Sequence, residues 1–475
     1  MKPIAIDLFC GAGGMSEGII QAGFHIVFSS DINEDVEKTY TNRHRQLGLI
    51  EGYNTCFKRS DIRELTSDNI KMNIKKLKQF KGKLPRIDAI FGGPPCQGFS
   101  RAGQRKKDDP RNMLFKEYLR IINEIRPKYV VMENVEGFMD SRLDGFIGVQ
   151  GLEYPDDSLL PDILQKEFEE IGYHTLEPQI LDSSDFGVPQ RRRRAIFIAY
   201  LNGQVIPSYP KPTTLNTDEK VTVLEAIGDL IVDEQAKNQL ENSYSEYQLA
   251  SIQGRTPTFR KHIKKQHSNR KIRNHELSKH NTLTVERFSL FQEGEDSSDV
   301  KKRIQREGLN IVNYPALLEE CTSKLQDKYS RDEIIEQFLN GITDDVLLEA
   351  LLTKKNNRLR WDRNRVSSTI VTLPDDYLTP FENRIPSVRE MARLQSFEDS
   401  FIFLGKRTTG GPRRKQEVPQ YTQVGNAVPP LLAKAIASEI KKAIHTKKSR
   451  NRAQTMQHQK LNRRRISKKR TSIRL

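Results

Sequence analysis

Short apolar runs that alternate with helix-length segments from Ile4 to Leu201 constrain the fold of this 475-residue chain more than any other feature. Ile4 to Phe9 reads as a buried strand, runs into the turn CGAGG, Cys10 to Gly14, and is followed by a helix-compatible stretch from Met15 to Ala22. A second run, His25 to Ser29, ends at Asp31, and a helix-like stretch covers Asp35 to Arg43. After Ser60-Asp61-Ile62 come a strand over Ile87 to Phe91, a helix over Leu114 to Ile125, and a strand over Tyr129 to Met132 that ends in Glu133-Asn134-Val135. A helix near Pro161 to Ile171 and strands at His174 to Leu181 and Ala195 to Leu201 complete the series. Strands that alternate with helices need crossover connections, so the expected fold is α/β, a doubly wound, mostly parallel sheet. Ligands of such sheets sit beyond the carboxyl ends of the strands. Asp31, Cys96 and Glu133 all fall at those ends, so residues remote in sequence can share one cleft.

The first turn suggests a nucleotide-type pocket. Its glycines permit tight turning and close backbone approach, the free amides of the following helix face the ligand, and Asp31 stands at the distance expected of a ribose-binding acid. A second turn, GGPPCQGFS from Gly92 to Ser100, delivers Cys96 at a strand end. Its prolines fix φ and its glycines allow close approach, which holds a thiol in place. Taken alone, Cys96 reads more readily as a buried small hydrophobe, the common fate of a free cysteine.

Further on, Gln190 is followed by Arg191, Arg192, Arg193 and Arg194. In an extended segment alternate side chains share a face, so Gln190, Arg192 and Arg194 point one way and Arg191 and Arg193 the other. Past Leu201 the alternation stops. Arg255 to His275 is basic, suiting either phosphate contacts or a wet surface. His275, Glu276 and His280 lack matching ligands elsewhere, so no metal site is assigned. Asp299 to Leu352 reads as helical, with a capping box at Ser330 and Glu333 and another helix start near Thr343. Strand-like sequence returns at Arg358 to Leu373, and a short helix at Pro386 to Gln395. QVGNAVPP, Gln423 to Pro430, then leads into a helix whose apolar positions Leu432, Ile436, Ile440 and Ile444 fit one face, able to rejoin the first sheet.

Composition narrows the class. The four cysteines, Cys10, Cys56, Cys96 and Cys321, are widely spaced and form no CxxC pair, which argues against a zinc site or a disulfide framework. No apolar run approaches the roughly 18 residues of a membrane helix, so a soluble, cytoplasmic chain is expected. The net charge of +16 points to a polyanionic partner, nucleic acid first. Much of that excess follows Glu439, in a tail with no acidic residue that is expected to be disordered and to strengthen binding without adding specificity.

Taken in order, DLFCGAGGMS, GGPPCQGFS, ENV, QRRRR and QVGNAVPP closely resemble the motif series of the cytosine-5 DNA methyltransferases, of the bacterial restriction-modification type. The resemblance covers Ile4 to Tyr200 and Arg358 to Ile444. It implies an S-adenosylmethionine-dependent methyltransferase fold with a second, smaller target-recognition domain. The implied boundaries are 1–203 for catalysis and cofactor, 204–417 for recognition with a helical insert near 299–352, 418–445 for a segment rejoining the catalytic domain, and 446–475 for the basic tail.

The chemistry is coherent with that resemblance. Carbon 5 of cytosine is a poor nucleophile until a thiolate adds to carbon 6, and Cys96 would supply it. A nearby cation, Arg192 or Arg194, would favour the thiolate. Glu133, in the ENV motif, would assist at ring nitrogen 3 as charge develops, Arg194 would contact the cytosine carbonyl, and Arg192 would help arrange the site. The resemblance further implies S-adenosylmethionine as cofactor. Phe9, Cys10, Gly11, Gly13 and Gly14 would lie against its methionine part, Asp31 on the ribose, Ile32 beside adenine, and Asp61 and Ile62 at the adenine edge. Pro95, Leu114 and Asn426 would complete the pocket. The family often has Glu where Asp31 stands and a larger side chain in place of Ile32. The implied partner is double-stranded DNA with its target cytosine flipped out. The chain is expected to act as a monomer beside a cognate restriction endonuclease that is a functional but not a physical partner. RNA cytosine methylation would use the same Cys96 and Glu133 chemistry, and the long middle region favours DNA. A catalytically dead DNA-binding relative is opposed by the intact Cys96, Glu133 and Arg194. A nicotinamide or flavin enzyme would leave the PPCQ and ENV stretches unexplained.

Overall fold

The computed structural model describes residues 2–95, 113–238, 243–259, 272–353, 357–411, 413, 417–447 and 449. Five parallel strands form first: β1 (Ile4–Leu8), β2 (His25–Asp31), β3 (Cys56–Arg59), β4 (Ala89–Gly92) and β5 (Tyr129–Val135). A small ladder of β6 (Arg142–Leu143) with β7 (Ser158–Leu159) comes next, followed by β8 (Tyr173–Thr175), β9 (Gln179–Asp182) and β10 (Arg193–Leu201). The main sheet has eight strands in the order β3-β2-β1-β4-β5-β10-β8, and β9 also pairs with β10. β10 runs antiparallel to β5, from Arg194 opposite Val135 to Tyr200 opposite Tyr129. This is the doubly wound, mostly parallel sheet that the alternation implied, and it agrees with the methyltransferase fold that the resemblance implies.

Helices cover both faces because side chains alternate along each strand. On one face, Ile6, Leu8, Ile90 and Val130 pack with α3 (Ser67–Lys76), α4 (Leu114–Ile125) and α5 (Leu160–Glu170). On the other, Ala5, Ile26, Phe91 and Val131 meet α1 (Gly14–Gln21) and the helix at 430–447. α2 (Glu34–Gln46) begins at Asn33, whose side chain accepts from the Asp35 and Val36 amides, with acids in its first turn and bases in its last. The 430–447 helix buries Leu432, Ile436, Ile440 and Ile444 against the sheet, each contributing roughly 2 kcal/mol. Its close approach depends on glycine. A Cβ on Gly18 would lie 2.4 Å from Pro430 O and 2.5 Å from Ala433 Cβ.

Two expected strands differ. His174 to Leu181 splits into β8 and β9 around Pro178, which has no N–H to give a ladder. Of Arg358 to Leu373, only Leu359–Arg360 is a strand, paired with Tyr377–Leu378. Asp362 ends it by accepting from the Asn364 amide, a local turn that competes with the ladder.

Beyond the sheet lie two further cores. One joins Ala12 of the first turn to Val223, Trp361, Val388, Phe397 and Val424. The other is helical, built from Phe288, Val300, Leu318, Ile334, Phe338 and Leu348 with neighbours. Its helix at Arg331–Leu339 has the capping box of Ser330 and Glu333, and that at Asp345–Leu352 is capped by Asp344.

Candidate active site

β1 and β4 are neighbours, yet the chain leaves them towards opposite halves of the sheet, which opens a crevice at their carboxyl ends. Both glycine turns lie there, with Leu8 directly opposite Gly92. A side chain at Gly92 would strike the Tyr118 ring at 2.6 Å and Leu8 O at 2.9 Å, so only glycine lets the strand end so close. The turn is then tied to β5, because Asn134 Nδ2 donates to Pro94 O at 3.1 Å. Pro95 is half-buried, and Cys96, next in the chain, lies outside the described residues.

Glu133 stands beside this turn. Its Oε1 accepts from Arg194 Nε at 2.9 Å, with the two side chains 12 % and 13 % exposed. The absent Cβ of Gly93 would lie 2.9 Å from Glu133 Oε2, so this glycine leaves space for the carboxylate. Burial pushes the Arg194 guanidinium down, and Glu133 opposes the shift. Arg192 is fully enclosed. Burial, then repulsion from Arg194, push it well down, with Glu133 opposing. One Arg192 terminal nitrogen donates to Ile370 O at 3.1 Å, while Nε has no hydrogen-bond partner among the described residues. Both arginines remain cations, so two positive charges stand beside Glu133. The alternation of the segment is as the sequence implied: Gln190 and Arg192 are buried and Arg194 nearly so, whereas Arg191 and Arg193 are exposed. Gln190 fixes the register by accepting from Ile370 N at 2.7 Å and donating to Gln395 Oε1 at 2.9 Å.

The first turn is built around Asp31. Its Oδ2 accepts from Gly11 N at 3.0 Å and its Oδ1 from Asn33 N at 3.0 Å, while burial pushes the carboxyl up against those bonds. Phe9 has a φ of 55° and its ring lies 6.4 Å from that of Tyr118. Gly11 and Gly13 also have positive φ, and the space a Gly11 Cβ would occupy is open to 4 Å. Gly13 caps α1 without a side chain, and Gly14 abuts Val428 O, which brings the QVGNAVPP segment against the turn. Asn426 is exposed at the end of its helix, and Ile32 is 65 % exposed.

Other expected residues are less available. Ile62 is buried in the core, so its side chain faces inward, and Asp61 is held bidentate by Arg63. Leu114 starts α4, partly buried against the same core. Cys10 is buried, and burial with Asp7 and Asp31 lifts its thiol well above the ordinary value, so it offers backbone rather than sulfur chemistry. Burial likewise lifts Cys56 and Cys321 to about 12. None of the three described cysteines is a nucleophile at neutral pH.

Sequence reasoning missed one buried group. Asp7 on β1 accepts from Ser16 Oγ; that hydroxyl lies 2.7 Å from Tyr40 Oη, which bonds Ser29 Oγ in turn. Asp7 sits in DLFCGAGG, but nothing in the run signals a polar group inside. His275 bonds Ser387 Oγ and Leu230 O, a structural role.

A family model for C-5 cytosine-specific DNA methylases matches residues 4–442. The Type II methyltransferase M1.HphI of Haemophilus parahaemolyticus is 31 % identical over 443 residues, covering 92 % of this chain and 86 % of that protein. M.AgeI of Thalassovita gelatinovora is 30 % identical over 467 residues, covering 92 % of this chain and 99 % of its own length. Among solved structures, a prophage-encoded E. coli protein described as a DNA modification methyltransferase superposes with a TM-score of 0.59 at 21 % identity, over 94 % of this chain and all of its own.

Proposed function

We propose that this chain, which belongs to the C-5 cytosine-specific DNA methylases, methylates cytosine through Cys96 and Glu133 within one short DNA sequence. The class is an enzyme, a sequence-specific DNA (cytosine-5-)-methyltransferase. The observation that carries the finer reading is the ion pair of Glu133 with Arg194 beside the turn that leads into Cys96.

S-adenosylmethionine suits the first turn. Open space over Gly11, an exposed apolar Ile32 beside Asp31, and the bare N-terminus of α1 form a cradle at the strand ends. Phe9, Cys10, Gly11, Gly13 and Gly14 would hold its methionine part, Asp31 its ribose, and Ile32 its adenine. Asp61, the backbone at Ile62, Pro95, Leu114 and Asn426 would close the pocket. When bound, this cofactor supplies an electrophilic methyl group.

The rest is done by the protein on a cytosine flipped from the duplex, at a cost of a few kcal/mol. Cys96 as thiolate adds to carbon 6, and Glu133 in its acid form donates to ring nitrogen 3 as negative charge moves there. Arg194 holds Glu133 through Nε and Arg193 O through one terminal nitrogen, and its other terminal nitrogen would donate to the carbonyl oxygen at ring carbon 2. Arg192, buried behind it, fixes that strand. A base then takes the proton from carbon 5, and the sulfur leaves as the double bond re-forms. Residues 1–203 and 418–445 would form the catalytic body, and 204–417 the region that reads DNA, with the 446–475 tail adding charge. We further assign double-stranded DNA as the substrate of a monomer in the cytoplasm, paired in function with a restriction endonuclease. Among the described residues, no helix is long and apolar enough to cross a membrane.

Bisulfite sequencing of DNA from cells expressing the protein tests this reading. Cytosines in one short context should resist conversion. Uniform conversion in cells that contain the folded protein would overturn it.

A further inference from the structure

The segment 71–86, KMNIKKLKQFKGKLPR, holds seven basic residues and no acidic one. It comprises the last part of α3, a short turn of helix at Lys78–Phe80 and the loop into β4. It therefore lies at the amino ends of the parallel strands, the edge opposite Asp31 and Glu133. Lys75, Lys76, Lys78, Lys81, Lys83 and Arg86 are exposed, and none forms an ion pair among the described residues.

The patch continues across the edge. The Phe80 ring lies 6.3 Å from His25, His25 lies 5.2 Å from Phe259, and Lys2 Nζ sits 3.6 Å from the Phe259 centroid. Lys441 Nζ donates to Ala22 O at 2.8 Å, and Lys447 Nζ donates to Gly203 O. Ala22 precedes β2 and Gly203 follows β10, so both lysines belong to the same edge. Like charges press on each other here. Lys2 is pushed down by burial and by Lys441, and Lys447 by burial, Arg86 and Lys128. Acids do little to offset them: Asp88 is taken by Lys128 and Ile4 N, and Glu439 by Lys442 and Ser208. Glu124 is taken by Arg120 and Ser67 N, Glu169 and Glu170 by Lys166, and Glu51 by Phe57 N. From Lys447 onward the sequence carries twelve Lys and Arg and no Asp or Glu.

We propose that the amino-end edge of the sheet, formed by residues 75–86 with Lys2, Lys441 and Lys447, is a second, sequence-independent surface for duplex DNA. Cations held together without counter-charge destabilise the fold, and a polyanion removes that cost. Duplex DNA fits because it is the family's polymer and presents a charge every ~1.7 Å of its axis. DNA stays straight over about 150 base pairs, so a duplex in the reaction crevice cannot bend round to the opposite edge. The second surface thus takes another duplex or a distant stretch of a long one. This choice of partner rests on the DNA methylase reading.

The test uses the full chain with Lys78→Glu, Lys81→Glu, Lys83→Glu and Arg86→Glu combined, and the four Gln replacements as a milder second variant. Melting curves establish that both fold. The log–log salt slope for long duplex without a target should shrink by about 0.9 for each phosphate that the variant no longer neutralises. Capture of a labelled duplex by a bead-bound duplex through the protein should fall by roughly tenfold or more, with methyl transfer to a duplex of about 20 base pairs unchanged. Undiminished slope and bridging in the folded variants would overturn the proposal. So would an equal loss of methyl transfer on the short duplex, which would put the patch in the reaction crevice. Loss of binding to an RNA homopolymer or to phosphatidylglycerol vesicles with DNA binding intact would also overturn it. If the unaltered protein bridges duplexes yet methylates none, the functional reading fails and this one stands.

Discussion

Asp7→Asn should make this protein more stable at about pH 8 by ~4 kcal/mol. Asp7 is fully buried on β1, Ser16 donates to its Oδ2, and Oδ1 has no hydrogen-bond partner among the described residues. Burial lifts its carboxyl to about 7, against the Ser16 bond and with the Asp31 charge. An unfolded Asp titrates near 3.8, so the folded state holds the proton more tightly. The stability linked to Asp7 is complete below the unfolded value and is lost as pH rises through the folded one. That spans about three pH units at ~1.4 kcal/mol each. Asparagine keeps a group that can accept from Ser16 and never ionises. Two buried histidines work in the opposite direction: burial lowers His25 to about 4 and His44 to about 3, so their contribution grows as pH rises towards the ordinary histidine range. The informative quantity is therefore the difference between variant and unaltered protein. Urea unfolding at about pH 4 and pH 8 gives it, near zero at the first and ~4 kcal/mol in favour of the variant at the second. A variant less stable at the higher pH, or a difference independent of pH, would refute the reasoning.

Three further outcomes follow from the geometry. Gly18→Ala puts a methyl group 2.4 Å from Pro430 O and 2.5 Å from Lys434 N, both backbone atoms. Melting should show a loss of about 1–3 kcal/mol as the 430–447 helix is pushed off α1. Glu133→Gln leaves Arg194 enclosed without its counter-charge, and turnover should fall by about 10²-fold or more with cofactor KM little changed; retained turnover would remove Glu133 from the chemistry. Gly93→Ala sets a Cβ 2.9 Å from Glu133 Oε2, and single-turnover methyl transfer should slow while the melting temperature barely moves.

The parts of the fold that were legible in the sequence are those fixed by local pattern. Leu114 to Ile125 came out as expected because its apolar residues follow the helical period and it ends at Arg126 in a left-handed cap. The facing of Gln190, Arg192 and Arg194 followed from strand alternation alone. What stayed hidden depends on packing between distant segments. Leu359–Arg360 is a strand only because Tyr377–Leu378 lies beside it, and the remainder of that run is loop. The Asp7 group is silent because a carboxylate inside a strand shows its burial only after α1 and α2 close over it. The basic edge was missed for another reason: 71–86 straddles a helix, a turn and a loop, and only the sheet brings it next to Lys2 and Lys447. For the candidate site, the ordered motifs picked out Asp31, Glu133 and Arg194, all of which the structure places at the strand ends. They did not reveal that Gly93 makes room for the Glu133 carboxylate or that Ile62 turns into the core.

The central claim is the covalent role of Cys96. Duplex DNA containing the recognised site, with its target cytosine fluorinated at carbon 5, blocks the final proton loss and should trap the protein on DNA in the presence of S-adenosylmethionine. Mass spectrometry of the digested adduct should find the base attached to the Cys96 peptide, with no adduct for Cys96→Ser. Methyl transfer to ordinary cytosine by a Cys96→Ser protein, or an adduct at any other residue, would contradict the account.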